Sequence, residues 1–360
     1  MWIVYSLLFL LAYSGVALGQ VPQREGGLKH IGVAVEFTKE SEADVVQWSR
    51  VESYPGSSFL RLHFSDILDR STERYSIVLS DRSGRIIQEL KKEEFGRRRS
   101  LWTKVIFDDF VRVEVIAHRR PAGLQFKLLE MAHQQRSFVP FSITVPDERE
   151  AIIAVRDLPR LFVRSRAVAK LSFISNGAAS MCTGFLIDND RMLTNEHCIG
   201  TALVCDAAIA IFGYAVNEAG RLNLGEQYRC VELLSVNKDL DFALIRLEGM
   251  PGAIWGRLEL TRRLIVQDEQ TFIIGHPAGE PMQVSRKGCS VTTPVAEGLG
   301  VDTDFGHKCD TLGGNSGSPV LGHDYKVIGL HHLGFSGEGR WSDENRAVRL
   351  MRIMDELRLP

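Results

Sequence analysis

The chain has 360 residues, 44% of them hydrophobic and 24% charged, with a mean hydropathy of -0.05. That length accommodates two domains with full cores. A net charge of -2, from 43 basic and 45 acidic residues, offers no footprint for nucleic acid or an anionic membrane, so neither is expected as a partner.

The first nineteen residues, MWIVYSLLFLLAYSGVALG, carry no charge. The apolar stretch Ile3 to Leu11 is short for a spanning helix, and Ala17 and Gly19 are small residues at the spacing of a signal-peptidase site. Residues 1–19 therefore read as an export signal. An uncleaved anchor is the alternative, because no Lys or Arg precedes the apolar run. No later segment is apolar enough to span a bilayer, so a secreted or periplasmic chain without a membrane span is expected.

Residues 20–150 read as an antiparallel β-sandwich. In FLRLHF, Leu60, Leu62 and Phe64 share one face while Arg61 and His63 share the other. VRVEV and LQFKL repeat the alternation with Val111, Val113 and Val115, then Leu124, Phe126 and Leu128. This region holds no catalytic constellation and reads as a pro-region or a binding module. The charged, proline-bearing stretch from Val145 to Arg166 reads as a connector, with residues 151–166 as the linker. Residues 167–360 are strand-rich with glycine-rich turns. Near the C-terminus, Ala347, Leu350, Met351 and Met354 predict an amphipathic helix.

All six cysteines lie in this second part. An even count behind an export signal favours disulfides, and no CxxC pair points to a zinc site. The expected bonds are Cys182–Cys198, Cys205–Cys230 and Cys289–Cys309. The first pair flanks a predicted hairpin, and the other two join neighbours in sequence, one choice among those six cysteines allow.

Three segments of this part carry chemistry. CTGFLIDNDRMLTNEHCIG runs through the hairpin and delivers His197. NKDLDFALIRLEG places Asp241 at the entry to an apolar strand, with Asp239 as its rival. TLGGNSGSPVLG surrounds Ser316 with backbone that carries almost no side chain. Acyl transfer needs a hydroxyl, a base within reach, a carboxylate that fixes the imidazole tautomer, and N–H donors aimed at an oxyanion. The bare backbone suits the last of these, with the N–H groups of Gly314 and Ser316 as donors.

LTNEHC, DFALIRL and GGNSGSPV together resemble the three catalytic boxes of chymotrypsin-like (trypsin-fold) serine proteases, in the order His, Asp, Ser. The short interval between Asp241 and Ser316, together with IIGHPAGEP and VIGLHH, is more similar to the bacterial branch of V8-type glutamyl endopeptidases. The resemblance runs from about Ala167 to the C-terminus. It implies an all-β fold: a double Greek-key β-barrel with a C-terminal helix behind the sandwich. It implies a serine endopeptidase with His197 as general base, Asp241 as its orienting carboxylate and Ser316 as nucleophile. Protein or peptide substrates, no cofactor, no metal and a monomer are expected. Asn315 stands where animal trypsins carry the aspartate that pairs with a freed N-terminus, so any zymogen control must differ. The basic run VRSRAVAK suggests cleavage near Arg166. Two specificity signals conflict. Asp310 matches the carboxylate that binds P1 Arg or Lys in trypsins. Thr311 and His331 match the pair that holds P1 Glu in V8-type enzymes, and acidic P1 is the reading taken. The alternatives are an esterase and a non-catalytic binding protein on a protease fold. His307, His323 and His332 receive no chemical role.

Overall fold

The computed structural model describes residues 22–38, 45–134, 147–334 and 344–360; the export signal lies outside them. The alternating segments form strands Leu60–Asp69, Phe110–Ile116 and Leu124–Gln134. Val111, Val113 and Val115 are fully buried. With Ile77, Leu79 and Leu90 they pack against Leu60, Leu62, Phe64, Leu124, Phe126 and Leu128 of the facing sheet. β-Branched and aromatic residues on one face of each strand thus make the interior of a two-sheet sandwich.

The second face of Leu60–Asp69 departs from the expected polar pattern. Arg61 has no exposed surface. Its Nε donates to Thr103 O at 3.0 Å, its Nη1 to Ser172 O at 3.3 Å, and its guanidinium lies 5.8 Å from the Trp102 ring centroid. Alternation reports which residues share a face, not whether a second domain covers it, and here the first barrel of the C-terminal part does. Phe59, Trp102, Val105 and Ala132 meet Ala179, Ala207, Ile209 and Ile211 in one buried cluster. Burial, then Arg229, pushes the Arg61 pKa down to about 9, against the opposing effect of Glu25.

The strand Gln23–Glu36 ties the two parts together. It pairs with Leu124–Gln134 in the sandwich and, through Gln23 opposite Met181, with Ala178–Leu186 of the first barrel. Lys170 of that barrel forms a buried ion pair with Glu25 and donates to Gly279 O at 3.0 Å. Val168–Ser175 pairs with both Ala178–Leu186 and Ile209–Phe212, which closes the first barrel. The second is an eight-stranded sheet that includes Phe272–Gly275, Asp304–His307, Val327–Leu333 and Asn345–Arg349.

Three boundaries shift from the sequence reading. The stretch taken as a linker is built into the core of the two-barrel part. Glu150–Ala151 pairs with Gln283–Ser285, and Ile152, Val155 and Leu161 join the main hydrophobic cluster. Pro159 opens a helix, Pro159–Ser165, whose charged residues point outward; the charge had masked its buried side. Residues from Glu150 onward thus pack with the two-barrel part. Ala347 lies in strand Asn345–Arg349, because NRAVR alternates; the final helix is Leu350–Glu356 and buries Leu350, Ile353 and Met354. Met351 is only half-buried. All six cysteines are paired as Cys182–Cys198, Cys205–Cys230 and Cys289–Cys309.

Candidate active site

The strand Arg191–Thr194 ends just before His197. The strand Phe242–Leu247 pairs with it, Thr194 opposite Ala243, so Asp241 and His197 leave neighbouring strand ends side by side. A tight turn precedes Asp241, whose N–H reaches Lys238 O at 3.2 Å and whose φ of 40° lies in the left-handed region. Such strain persists only where surroundings hold it. Asn195 Nδ2 does so by donating to Asp241 O at 2.8 Å. The Asp241 carboxylate then accepts two hydrogen bonds from His197: the backbone N–H at 3.0 Å on Oδ1 and ring Nδ1 at 2.8 Å on Oδ2. Burial alone would raise the Asp241 pKa. The charge and hydrogen bond of His197, followed by those of His332, hold it well below the usual carboxylate range. Asp239, the rival carboxylate, is exposed.

Ser316 is half-buried. Its carbonyl accepts the Thr183 N–H at 2.8 Å, while Thr194, three residues before His197, donates its hydroxyl to Thr183 O at 2.8 Å. The serine loop is thereby fastened to the barrel strands that carry the imidazole. Two glycines make this possible. A Cβ on Gly317 would lie 2.1 Å from Thr183 O, and one on Gly314 would lie 2.6 Å from His276 O; both have positive φ. The N–H groups of Asn315, Gly317 and Ser318 are spent on Leu312, His331 and Asn315 carbonyls. Among the described residues no hydrogen bond engages the N–H of Gly314 or Ser316, nor joins Ser316 Oγ to His197.

The three specificity candidates have different surroundings. Asp310 is buried, and its Oδ2 accepts the Glu148 N–H at 3.0 Å, from the segment that leads into the peptidase unit. It lines a small cleft with Arg149 and Asn315. The Thr311 hydroxyl is buried with no hydrogen-bond partner among the described residues. His331 Nδ1 lies 3.2 Å from His307 Nε2, and His307 Nδ1 accepts the Cys309 N–H at 3.3 Å. With Nδ1 accepting the Cys309 N–H, the neutral His307 ring carries its proton on Nε2, the nitrogen that faces His331. The Arg346 backbone also bonds to the His331 ring. Burial pushes the His307 pKa down to about 3 and that of His331 well below its ordinary value, so both rings are neutral near pH 7.

His332, passed over in the sequence, is the added member of the site. It is fully buried, with Nδ1 3.2 Å from Asp241 Oδ2 and Nε2 2.6 Å from Asp304 Oδ2. The only trace in the sequence is the doublet in VIGLHH. Of metal-site dimensions among the described residues there is one grouping, Cys182, His197 and Cys198, and its two sulfurs are joined in a disulfide. A groove of about 880 Å³ borders His197, with Trp102 and Glu130 of the sandwich on one side and Glu196 and Thr201 on the other.

An imidazole oriented by a buried carboxylate and a glycine-framed serine loop fastened to the same barrel strands are parts that a serine peptidase site uses. Residues 182–330 match the family model described as a trypsin-like peptidase domain. The chain is 29% identical over 196 residues to secreted RxLR effector protein 73 of Plasmopara viticola, covering 48% of this chain and 46% of that protein. It is 24% identical over 166 residues to a glutamyl endopeptidase of Staphylococcus aureus, covering 44% and 48%. The chain thus spans less than half the length of these relatives. A solved Glu endopeptidase superposes with a TM-score of 0.45 at 21% identity, covering 61% of this chain and 99% of that one. No helix among the described residues is long and apolar enough to cross a membrane.

Proposed function

We propose that the protein is a secreted or periplasmic serine endopeptidase. The observation that carries this is the doubly hydrogen-bonded His197–Asp241 pair beside a serine loop whose Gly314 and Ser316 N–H groups are uncommitted. His197 takes the Ser316 proton as the hydroxyl attacks the scissile carbonyl. Asp241 fixes the ring with Nδ1–H toward itself and Nε2 toward the serine, and stabilises the imidazolium that forms. The oxyanion is received by the Gly314 and Ser316 N–H groups. His197 then protonates the leaving amine, and water hydrolyses the acyl-enzyme. Peptides are the substrates and the working unit is a monomer. Three disulfides accord with an oxidising compartment.

The P1 reading is acidic, Glu over Asp. Asp310, the carboxylate that would attract Arg or Lys, already receives the Glu148 N–H. Thr311 has a buried hydroxyl with no hydrogen-bond partner among the described residues, and the buried His331 ring is not matched to any carboxylate there. A hydroxyl and an imidazole suit a carboxylate, and the buried imidazole gains a proton more readily once that carboxylate arrives. Paired peptides differing only in P1 Glu or P1 Arg test it. The Glu peptide is expected to be cut faster, and His331→Ala is expected to abolish that preference while Asp310→Ser spares it. Faster cleavage after Arg that depends on Asp310 would overturn the acidic reading.

The sandwich is read as a permanent part of the enzyme rather than a discarded pro-region. Cleavage near Arg166 would detach Ile152, Val155 and Leu161 from the peptidase core chain and leave Lys170 dependent on a strand no longer linked to it. Active enzyme is therefore expected to retain residues Gln23 to Gln134 by intact mass. A fully active species beginning near Ala167 would show that the sandwich is dispensable.

A further inference from the structure

We propose that His332 and Asp304 extend the catalytic relay behind Asp241, with His332 as a doubly protonated imidazole bridging the two carboxylates and acting as a positioning residue. This rests on the peptidase reading and assigns a role that the His, Asp and Ser boxes do not contain. The argument begins with hydrogen-bond chemistry. An ionised carboxylate is acceptor-only. His332 Nδ1 lies 3.2 Å from one such oxygen, on Asp241, and Nε2 lies 2.6 Å from another, on Asp304. Both ring nitrogens must then carry hydrogen, so the ring is a cation at neutral pH. The pKa shift agrees: burial would lower it, but Asp304 first and Asp241 with it raise it to about 9.

The second carboxylate is built into the fold. Asp304 opens strand Asp304–His307 and has no exposed surface. Its Oδ1 accepts the Thr303 hydroxyl at 2.8 Å, and a Cβ on Gly298 would sit 2.1 Å from that same oxygen. Among the described residues, Asp241 and Asp304 act on the His332 ring, the neutral ring of His331 sits on its own strand and that of His307 on the strand beyond Asn345–Arg349, and Arg349 acts on Asp304 from the strand between them. A lone cation beside Asp241 would weaken the field that makes His197 basic. Asp304 cancels that cation, so Asp241, His332 and Asp304 together carry the single negative charge of an ordinary triad carboxylate. The imidazolium also gives the Asp241 Oδ2 a second donor, which fixes the plane of the carboxylate against His197.

Charge balance makes the role separable from packing. Asp304→Asn leaves the cation uncompensated, so the acidic limb of the kcat/KM–pH profile, which reports His197, is expected to move to lower pH. His332→Gln leaves two carboxylates, so the limb is expected to move to higher pH. Each shift should be about 1 pH unit, the scale on which a nearby charge moves a buried titration. The double variant restores the net charge, and its limb is expected to return toward that of wild type. All are measured on the full chain with a peptide substrate, with a fluorophosphonate titrant counting competent sites so that unfolded protein is excluded from the rates. If both single variants keep the wild-type limb within about 0.2 unit, or shift it in the same direction, the relay is wrong and the pair is only a structural bond. Should His332→Gln fail to fold, the Asp304→Asn and double variants still decide. A wild type with no peptide cleavage and no titrant uptake would instead remove the peptidase reading itself.

Discussion

Ser316→Ala is expected to lower kcat by about 10⁶, the scale of losing the nucleophile in an enzyme whose triad acts as a unit. The variant should fold as wild type does, because Ser316 serves the fold through its backbone: its carbonyl accepts the Thr183 N–H, and its side chain forms no hydrogen bond among the described residues. Loss of activity with an unchanged melting temperature is therefore the expected pair of results. A fluorophosphonate probe should label wild type and leave the variant unlabelled. The location of any residual label is informative. Among the described residues the serine hydroxyl that is hydrogen-bonded to an imidazole is Ser100: its Oγ lies 2.7 Å from His63 Nε2, and His63 Nδ1 lies 3.0 Å from Glu130 Oε1. This chain is on the sandwich, and Ser100 is exposed. Label that persists in Ser316→Ala would remove Ser316 from the mechanism, and mapping it to Ser100 would move the chemistry to the other domain.

Much of the architecture was legible because its signals are local. Period-two alternation marked the sandwich strands, and valines 111, 113 and 115 are buried as their spacing required. The histidine, aspartate and serine segments could be ordered along the chain, and His197 and Asp241 do meet. What escaped was non-local. Arg61 alternates with apolar residues like any solvent-facing arginine, and only contact with Ser172, far along the chain, reveals its burial. Asp310 was read from the resemblance as a specificity carboxylate, but nothing near it in sequence shows that Glu148, 162 residues earlier, donates its N–H to it. The linker reading failed because charge on the outer face of Pro159–Ser165 outweighed the apolar signal of Ile152, Val155 and Leu161. His332 was invisible because its two partners lie 91 and 28 residues away, one in a turn and one on another strand, and nothing in their immediate neighbours announces them.

Asp241→Asn is the second large effect, and it follows from counting donors. The carboxylate accepts from three N–H groups: the His197 backbone on Oδ1, and His197 Nδ1 and His332 Nδ1 on Oδ2. An acceptor-only group satisfies all three, whereas an amide presents one oxygen and one NH₂. If the NH₂ takes the place of Oδ2, it confronts both imidazoles, and His197 is driven to the tautomer with its proton on Nε2, unable to accept from Ser316. If the amide flips, the NH₂ confronts the His197 backbone N–H. Either orientation leaves at least one donor facing a donor. The expected fall in kcat is about 10⁴, with KM little changed, because the lost function is proton acceptance rather than binding. Stability should fall too, by about 1–3 kcal/mol at pH 7, the cost of leaving buried donors unpaired. That second loss has a defined pH dependence. Asp241 titrates lower in the folded chain than in the unfolded one, so its contribution is complete above the unfolded value of about 4 and is lost as pH falls through the lower folded one. Denaturation midpoints of wild type and variant are therefore expected to differ most near neutrality and to converge in acid. A gap that stays constant from pH 7 down to strong acid would mean that the carboxylate charge contributes nothing to the fold, and that Asp241 is held by packing alone.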